Sequence, residues 1–116
     1  MANNFDDIQK KIVAFRDARD WKQFHNPKDL ALSLVLESTE LLEHFQWKNE
    51  AKALEHIKNN KTDIEDELAD VLYWVLLIAN DLDIDLGKAS VKKLDKNDKK
   101  YEVSKAKGNS KKYTEL

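Results

Sequence analysis

A chain of 116 residues holds one modest core, and helices of such a chain often complete their burial by associating with further copies. One proline, two glycines and no cysteine favour an all-α fold and exclude a disulfide framework or a thiolate metal site. The net charge of −2 hides 11 basic against 18 acidic side chains over residues 1–91 and 9 against 4 over residues 92–116, too acidic overall for a duplex-binding surface.

The N-terminal stretch MANNFDDIQKK lacks the apolar core of a signal peptide. No apolar run reaches the roughly 18 residues that cross a bilayer. A cytoplasmic protein with neither a membrane nor a nucleic acid polymer as partner is expected.

Phe5, Ile8, Ile12 and Phe15 recur at helical spacing and predict a first helix from Asn4 to Ala18, with Asp6 and Asp7 at its positive end. The connection RDWKQFHNP carries three ring side chains, Trp21, Phe24 and His25. Asn26 is the predicted cap of a second helix, with Pro27 at its first position. That helix, Pro27 to Phe45, holds a run from Leu30 to Leu36 that is all apolar or small, so burial nearly all round is expected. Two carboxylates, Glu37 and Glu40, interrupt it. Glu50 to Lys58 reads as a weak helix or loop anchored by Leu54 and Ile57.

Thr62-x-x-Glu65 resembles a capping box that would start a helix from Asp63 to Ala79. Its expected core stripe is Leu68, Val71, Leu72, Val75 and Ile78, and it carries Glu67 and Asp70. DLDIDLG, Asp81 to Gly87, is not a calcium loop: its glycine comes one place late and the closing glutamate is missing. Asp85 is instead the predicted cap of a last helix, Leu86 to Tyr101, on which Lys93, Asn97 and Tyr101 share a face. From Glu102 a lysine-rich tail follows. It reads as a solvated segment, or as one that meets a polyanion held at the acidic site.

The two carboxylate pairs carry the chemistry. Positions i and i+3 lie on one helix face, so each pair points at one spot, and two such helices packed together surround a single site. Glu-x-x-Glu alone is common on solvated faces, and Glu43, Glu50 and Glu55 are read as that kind. Two pairs in the two most apolar helices are more specific, because buried carboxylates are costly unless paired or bound to a cation. An oxygen-only set favours Mg²⁺, with Mn²⁺ as the alternative, over Zn²⁺. Di-iron chemistry is disfavoured, since no histidine has a glutamate three residues before it. His44, one turn after Glu40, reads as a surface residue near the helix end or as support for a ligand. Trp21, Trp47 and Trp74 read as core or rim packing, or, for Trp21 and Trp47 at opposite ends of the metal helix, as flanks of a planar ring.

Glu37-x-x-Glu40 followed by Glu67-x-x-Asp70 resembles the signature of the MazG-like all-α nucleoside triphosphate pyrophosphohydrolases. RDWKQFHNP, FQWK at Phe45–Lys48, ELADVL at Glu67–Leu72, KLDKNDKKY at Lys93–Tyr101 and KKYTEL at Lys111–Leu116 look like the dCTP pyrophosphatase branch. The resemblance implies a bundle of four to five helices assembled as a dimer of dimers, hence a tetramer. It implies a catalytic domain over residues 1–101 and a basic tail, 102–116, that orders on substrate. The implied reaction is Mg²⁺-dependent hydrolysis of a deoxynucleoside triphosphate to the monophosphate and pyrophosphate, a nucleotide-pool house-cleaning activity. Carried onto this chain, the catalytic metal ligands are Glu37, Glu40, Glu67 and Asp70. Trp21, His25, Trp47 and Trp74 would form the base pocket; Lys93, Asn97 and Tyr101 would contact base, sugar or phosphates, and Lys112 would close on the phosphates. Trp74 stands where that branch resembles a tyrosine, and Asp98 interrupts a basic run; both bear on base preference rather than on the reaction. The competing expectation is a helical binding or regulatory module that keeps the fold without turnover.

Overall fold

The computed structural model describes residues 4–116. Six α-helices and no strand occur among the described residues: α1 (Phe5–Ala18), α2 (Pro27–Glu43), α3 (Glu50–Asn59), α4 (Lys61–Asp81), α5 (Leu86–Lys100) and α6 (Val103–Ala106). Two 3₁₀ turns, Lys22–Phe24 and Tyr113–Glu115, complete the order. Four to five helices were expected from the sequence; the additional one is the four-residue turn α6, in the segment read as a solvated lysine-rich tail.

Local chemistry sets most boundaries. Asn4, Asn26, Asn49 and Asp85 each accept from the backbone N–H three residues on, which satisfies one of the donors left over at a helix start. Pro27 occupies the first position of α2, where its missing N–H costs nothing. After α1, α2 and α4 the chain turns through non-glycine residues with positive φ: Asp20 at 56°, Trp47 at 66° and Asp83 at 54°.

Two compact units follow, Met1–Leu82 and Asp83–Leu116. In the first, α4 is the axis. Helix α2 packs along it most extensively, with α1 and α3 also against it. Glu37 and Glu40 meet Glu67 and Asp70, while Leu30 borders one cavity with Asn80, Asp81 and Leu82, so α2 and α4 run antiparallel. Gln9 of α1 donates to the Leu76 carbonyl at 2.9 Å, and Arg16 of α1 reaches Asp81 at 2.6 Å. Leu30, Leu76, Leu77 and Ala79 form the buried apolar core. The second unit consists of α5, α6 and the terminal turn, where Tyr101 and Tyr113 meet edge to face with ring centroids 6.0 Å apart.

Several expectations are corrected. Helix α2 is not buried all round: Leu32, Val35, Leu36 and Leu42 are exposed in the single chain. Residues 50–58 form a regular helix whose covered side is Ala53, His56 and Asn60, spaced three and four apart, whereas Leu54 and Ile57 face outward. No capping box starts α4, because Asn60 alone both ends α3 and begins α4, leaving Thr62 inside the helix. The buried residues of α4 are Leu76, Leu77 and Ala79 and not the single stripe led by Leu68, because its C-terminal half is covered by α1 and α2 together.

Candidate metal centre

Glu37 and Glu40 project from α2, and Glu67 and Asp70 from α4, at one level of the antiparallel pair. One ligand oxygen from each lies within 4.8 Å of the other three. Glu37 and Glu67 are half-buried, Glu40 and Asp70 exposed. Buried carboxylate oxygens ordinarily have partners, yet Glu37 Oε2 and Glu67 Oε2 are buried without a hydrogen bond. Burial, then the neighbouring Glu40 and the charge of Asp70, push both the Glu37 and Glu67 carboxyls above the ordinary glutamate range. The indole of Trp74 opposes this at Glu37, and His44 opposes it at Glu67. Four crowded oxygen donors, two with unanswered lone pairs, fit a hard divalent cation such as Mg²⁺ or Mn²⁺.

Two cavities flank this quartet. One, of about 460 Å³, is an aromatic groove touching Glu37 and Asp70 and walled by Ile8, Lys11, Ile12 and Phe15 of α1 with Trp21, Tyr73 and Trp74. Its rings support one another edge to face: Phe15 with Trp21 at 5.8 Å, Phe15 with Tyr73 at 6.2 Å, Tyr73 with Trp74 at 5.0 Å. The other cavity, of about 380 Å³, is polar and bounded by Glu40, Glu43, His44 and Glu67. The quartet therefore separates an apolar, ring-lined side from a polar side.

The remaining candidates are placed unevenly. Trp21 and Trp74 line the groove. His25 sits behind it, its ring 5.5 Å from Trp74 edge to face, and borders a third cavity with Lys22 and Asp81. Its Nδ1 is buried without a partner; burial and the Arg16 charge lower its pKa, opposed by Asp81. Trp47 is not brought to the groove: it is 91% exposed, at a backbone conformation that bulky residues rarely adopt. Lys93, Asn97, Tyr101 and Lys112 belong to the second unit, where Asn97 is half-buried and accepts the Tyr101 N–H at 2.9 Å through its backbone carbonyl. The α1 wall was missed as part of a site. Its helical apolar period was visible, but that period reads equally as core, and only the gap between α1 and the quartet turns it into a groove.

An all-α unit with a carboxylate quartet between two facing helices and a ring-lined groove beside it defines a small class of helical proteins with an acidic centre. Residues 32–116 match the model of the MazG-like family. The chain is 37% identical to dCTP pyrophosphatase 1 of Rattus norvegicus and of Homo sapiens, over 96% of its own length and 66% of theirs. With the Bos taurus protein of the same name it shares 36% identity over 67% of that protein. A solved pyrophosphatase from Archaeoglobus fulgidus superposes with a TM-score of 0.82 at 34% identity, covering 88% of this chain and 95% of that one. The chain belongs to the MazG-like family.

Proposed function

We propose that the protein is a Mg²⁺-dependent nucleoside triphosphate pyrophosphohydrolase that converts deoxynucleoside triphosphates, dCTP-like or otherwise non-standard or in excess, to monophosphate and pyrophosphate. The observation that carries this reading is the quartet with its two orphaned oxygens lying directly beside a groove lined by Trp21, Tyr73 and Trp74. The names of the mammalian and archaeal relatives support it.

In this reading Glu37, Glu40, Glu67 and Asp70 would hold the metal, which would supply a lowered water pKa and neutralisation of charge on the phosphate oxygens. The base stacks in the groove on Trp21 and Trp74, with His25 behind Trp74. Water attacks the α-phosphorus and gives up its proton to one of the four carboxylates or another nearby, the bond from that phosphorus to the bridging oxygen breaks, and pyrophosphate leaves. Lys93, Asn97 and Tyr101 would contact base, sugar or phosphates, and Lys112 would close on the phosphates. The exposed Leu32, Val35, Leu36 and Leu42 of α2 support assembly into a dimer of dimers, and the exposed Trp47 would then join the base site of a neighbouring copy. The assigned role is house-cleaning of the cytoplasmic nucleotide pool.

Phosphate release from a panel of dNTPs, with Mg²⁺ and added inorganic pyrophosphatase, tests the activity. Release from at least one nucleotide is expected, and none from any canonical or modified nucleotide would leave a binding module. Light scattering should return a tetramer mass at micromolar concentration, and an active monomer would remove the assembly.

A further inference from the structure

Asn60, His56 and His44 are joined so as to fix the position of a proton. Asn60 is the N-cap of α4, where an asparagine side chain ordinarily accepts from the backbone ahead of it, yet it makes no such bond. It turns back onto α3. Its Nδ2 donates to the His56 carbonyl at 3.0 Å and lies 3.1 Å from His56 Nδ1. A carbonyl can only accept, so the amide orientation is set and the nitrogen facing the ring is a donor. His56 Nδ1 is therefore an acceptor, and the neutral ring carries its hydrogen on Nε2. Burial, Lys48 and His44 lower the His56 pKa and favour that neutral form, against a smaller pull from Asp63.

The same logic passes one ring further. His56 Nε2 lies 2.9 Å from His44 Nδ1, which must accept, so His44 carries its own hydrogen on Nε2. A protonated Nε2 cannot ligate a metal. It has no hydrogen-bond partner among the described residues, and His44 borders the polar cavity beside Glu40, Glu43 and Glu67.

We propose that His44 donates a hydrogen bond from this Nε2–H to a β- or γ-phosphate oxygen of the bound triphosphate and keeps it to the leaving pyrophosphate, with His56 and Asn60 as its positioning residues. The inference rests on the pyrophosphohydrolase reading, and it follows from the two-sided site. A nucleoside in the aromatic groove, on the Glu37 and Asp70 side, sends its phosphates across the quartet toward Glu40, Glu67 and His44. Three carboxylates repel free phosphate, so the ligand of this cavity is the magnesium complex.

The test uses the full chain and two measurements. ¹⁵N NMR of the metal-free wild type reads the tautomer of His44, and calorimetry reads the binding of Mg²⁺–pyrophosphate and, separately, of Mn²⁺ alone. The wild type should show His44 protonated at Nε2 and bare at Nδ1. His44→Leu should bind Mg²⁺–pyrophosphate roughly tenfold more weakly, the loss of a hydrogen bond to an anion. His44→Gln, whose amide N–H reaches the same place, should recover most of it. Asn60→Ala should mix the tautomers and lose part of the affinity. Mn²⁺ binding without pyrophosphate should be the same in all. The proposal is overturned by a wild-type Nδ1–H tautomer, by a wild type that binds no Mg²⁺–pyrophosphate, or by equal pyrophosphate affinity in wild type and His44→Leu. A matching loss of Mn²⁺ affinity also overturns it, by reassigning His44 to the support of a carboxylate. None of these needs turnover: pyrophosphate held through His44 by a protein that hydrolyses no dNTP would sink the activity and leave this contact standing.

Discussion

Helix α4 carries partly covered charge in both halves, and the two halves resolve it differently. Near its C-terminus Asp81 meets Arg16 of α1 at 2.6 Å, with the guanidinium 1% exposed and also 3.2 Å from Asp17. Burial pushes the Asp81 carboxyl up, but the hydrogen bonds of Arg16 and Asn80 and the Arg16 charge outweigh it and hold the group below its ordinary range. Toward the N-terminus Glu67 and Asp70 meet two further carboxylates on α2, two oxygens of the quartet have no hydrogen bond, and the Glu37 and Glu67 carboxyls are pushed up. A pair of opposite sign is complete within the fold and serves as scaffold. A group of one sign is incomplete within it, and that incompleteness marks a site.

The sharpest way to break this contrast is to neutralise each half in turn. Asp70→Asn and Glu67→Gln should lower kcat by at least about a thousandfold, since each removes a ligand from the charge-neutralising centre, a contribution of several kcal/mol. Their far-UV circular dichroism should stay helical. Near wild-type turnover at saturating Mg²⁺ in either variant would contradict the ligand assignment. Arg16→Met should do the reverse. Leaving Asp81 buried without its partner should cost about 3 kcal/mol of stability in urea denaturation, the low end for such pairs because the Asp81 side chain is 14% exposed. Mn²⁺ affinity of the folded protein should not change, and an unaltered denaturation midpoint would show that the pair is not scaffold.

The two halves also differ in how far they were legible in the sequence. Glu37, Glu40, Glu67 and Asp70 could be grouped from spacing and surroundings together, because i and i+3 must share a helix face and both segments are apolar. Asn26, Pro27 and Asp85 could be placed as helix-start residues because capping is local chemistry. The Arg16–Asp81 pair could not, since its partners are 65 positions apart and nothing local distinguishes Arg16 from Arg19. Nor could the covered side of α3. A helical period shows which residues share a face, but packing against α4 selected Ala53, His56 and Asn60 over the more apolar Leu54 and Ile57. The start of α4 was misplaced because Thr62-x-x-Glu65 matches a capping box by spacing, whereas Asn60 begins the helix with its side chain turned onto His56.

A smaller effect separates the rings that line the groove from the ring that does not. Trp74→Ala and Trp21→Ala should raise KM for every dNTP by roughly tenfold, as loss of one stacking surface predicts. Trp47→Ala should leave the melting temperature nearly unchanged, because the side chain is 91% exposed and closes no core of its own chain. A rise in KM for Trp47→Ala would therefore report a neighbouring copy, and it should vanish under conditions that dissociate the assembly. Asn97→Ala should narrow the gap in kcat/KM between favoured and disfavoured bases, measured with dCTP, dTTP and dATP. An unchanged ratio would remove Asn97 from base selection.

The smallest effect is the most direct readout of incompleteness. Glu37 and Glu67 hold protons more readily folded than unfolded, since their carboxyls are pushed above the ordinary value of 4.5. The native state then binds more protons than the unfolded one, so stability falls as pH rises through that window. The favourable contribution is fully present below 4.5 and is lost as pH rises through the raised native values. Other groups act in the opposite sense on acidification: His25 and His56 are lowered from 6.5, and Asp81 is lowered from 3.8. The comparison of wild type with Glu37→Gln cancels these shared terms. Without metal, Glu37→Gln should melt higher than wild type at neutral pH, and its advantage should shrink as pH falls toward 4.5. Saturating Mg²⁺ should reverse the order, because a ligand that binds only the native wild-type site stabilises it by mass action. A difference in melting temperature that stays constant with pH and indifferent to Mg²⁺ would mean that the crowded carboxylates carry no strain for a cation to relieve.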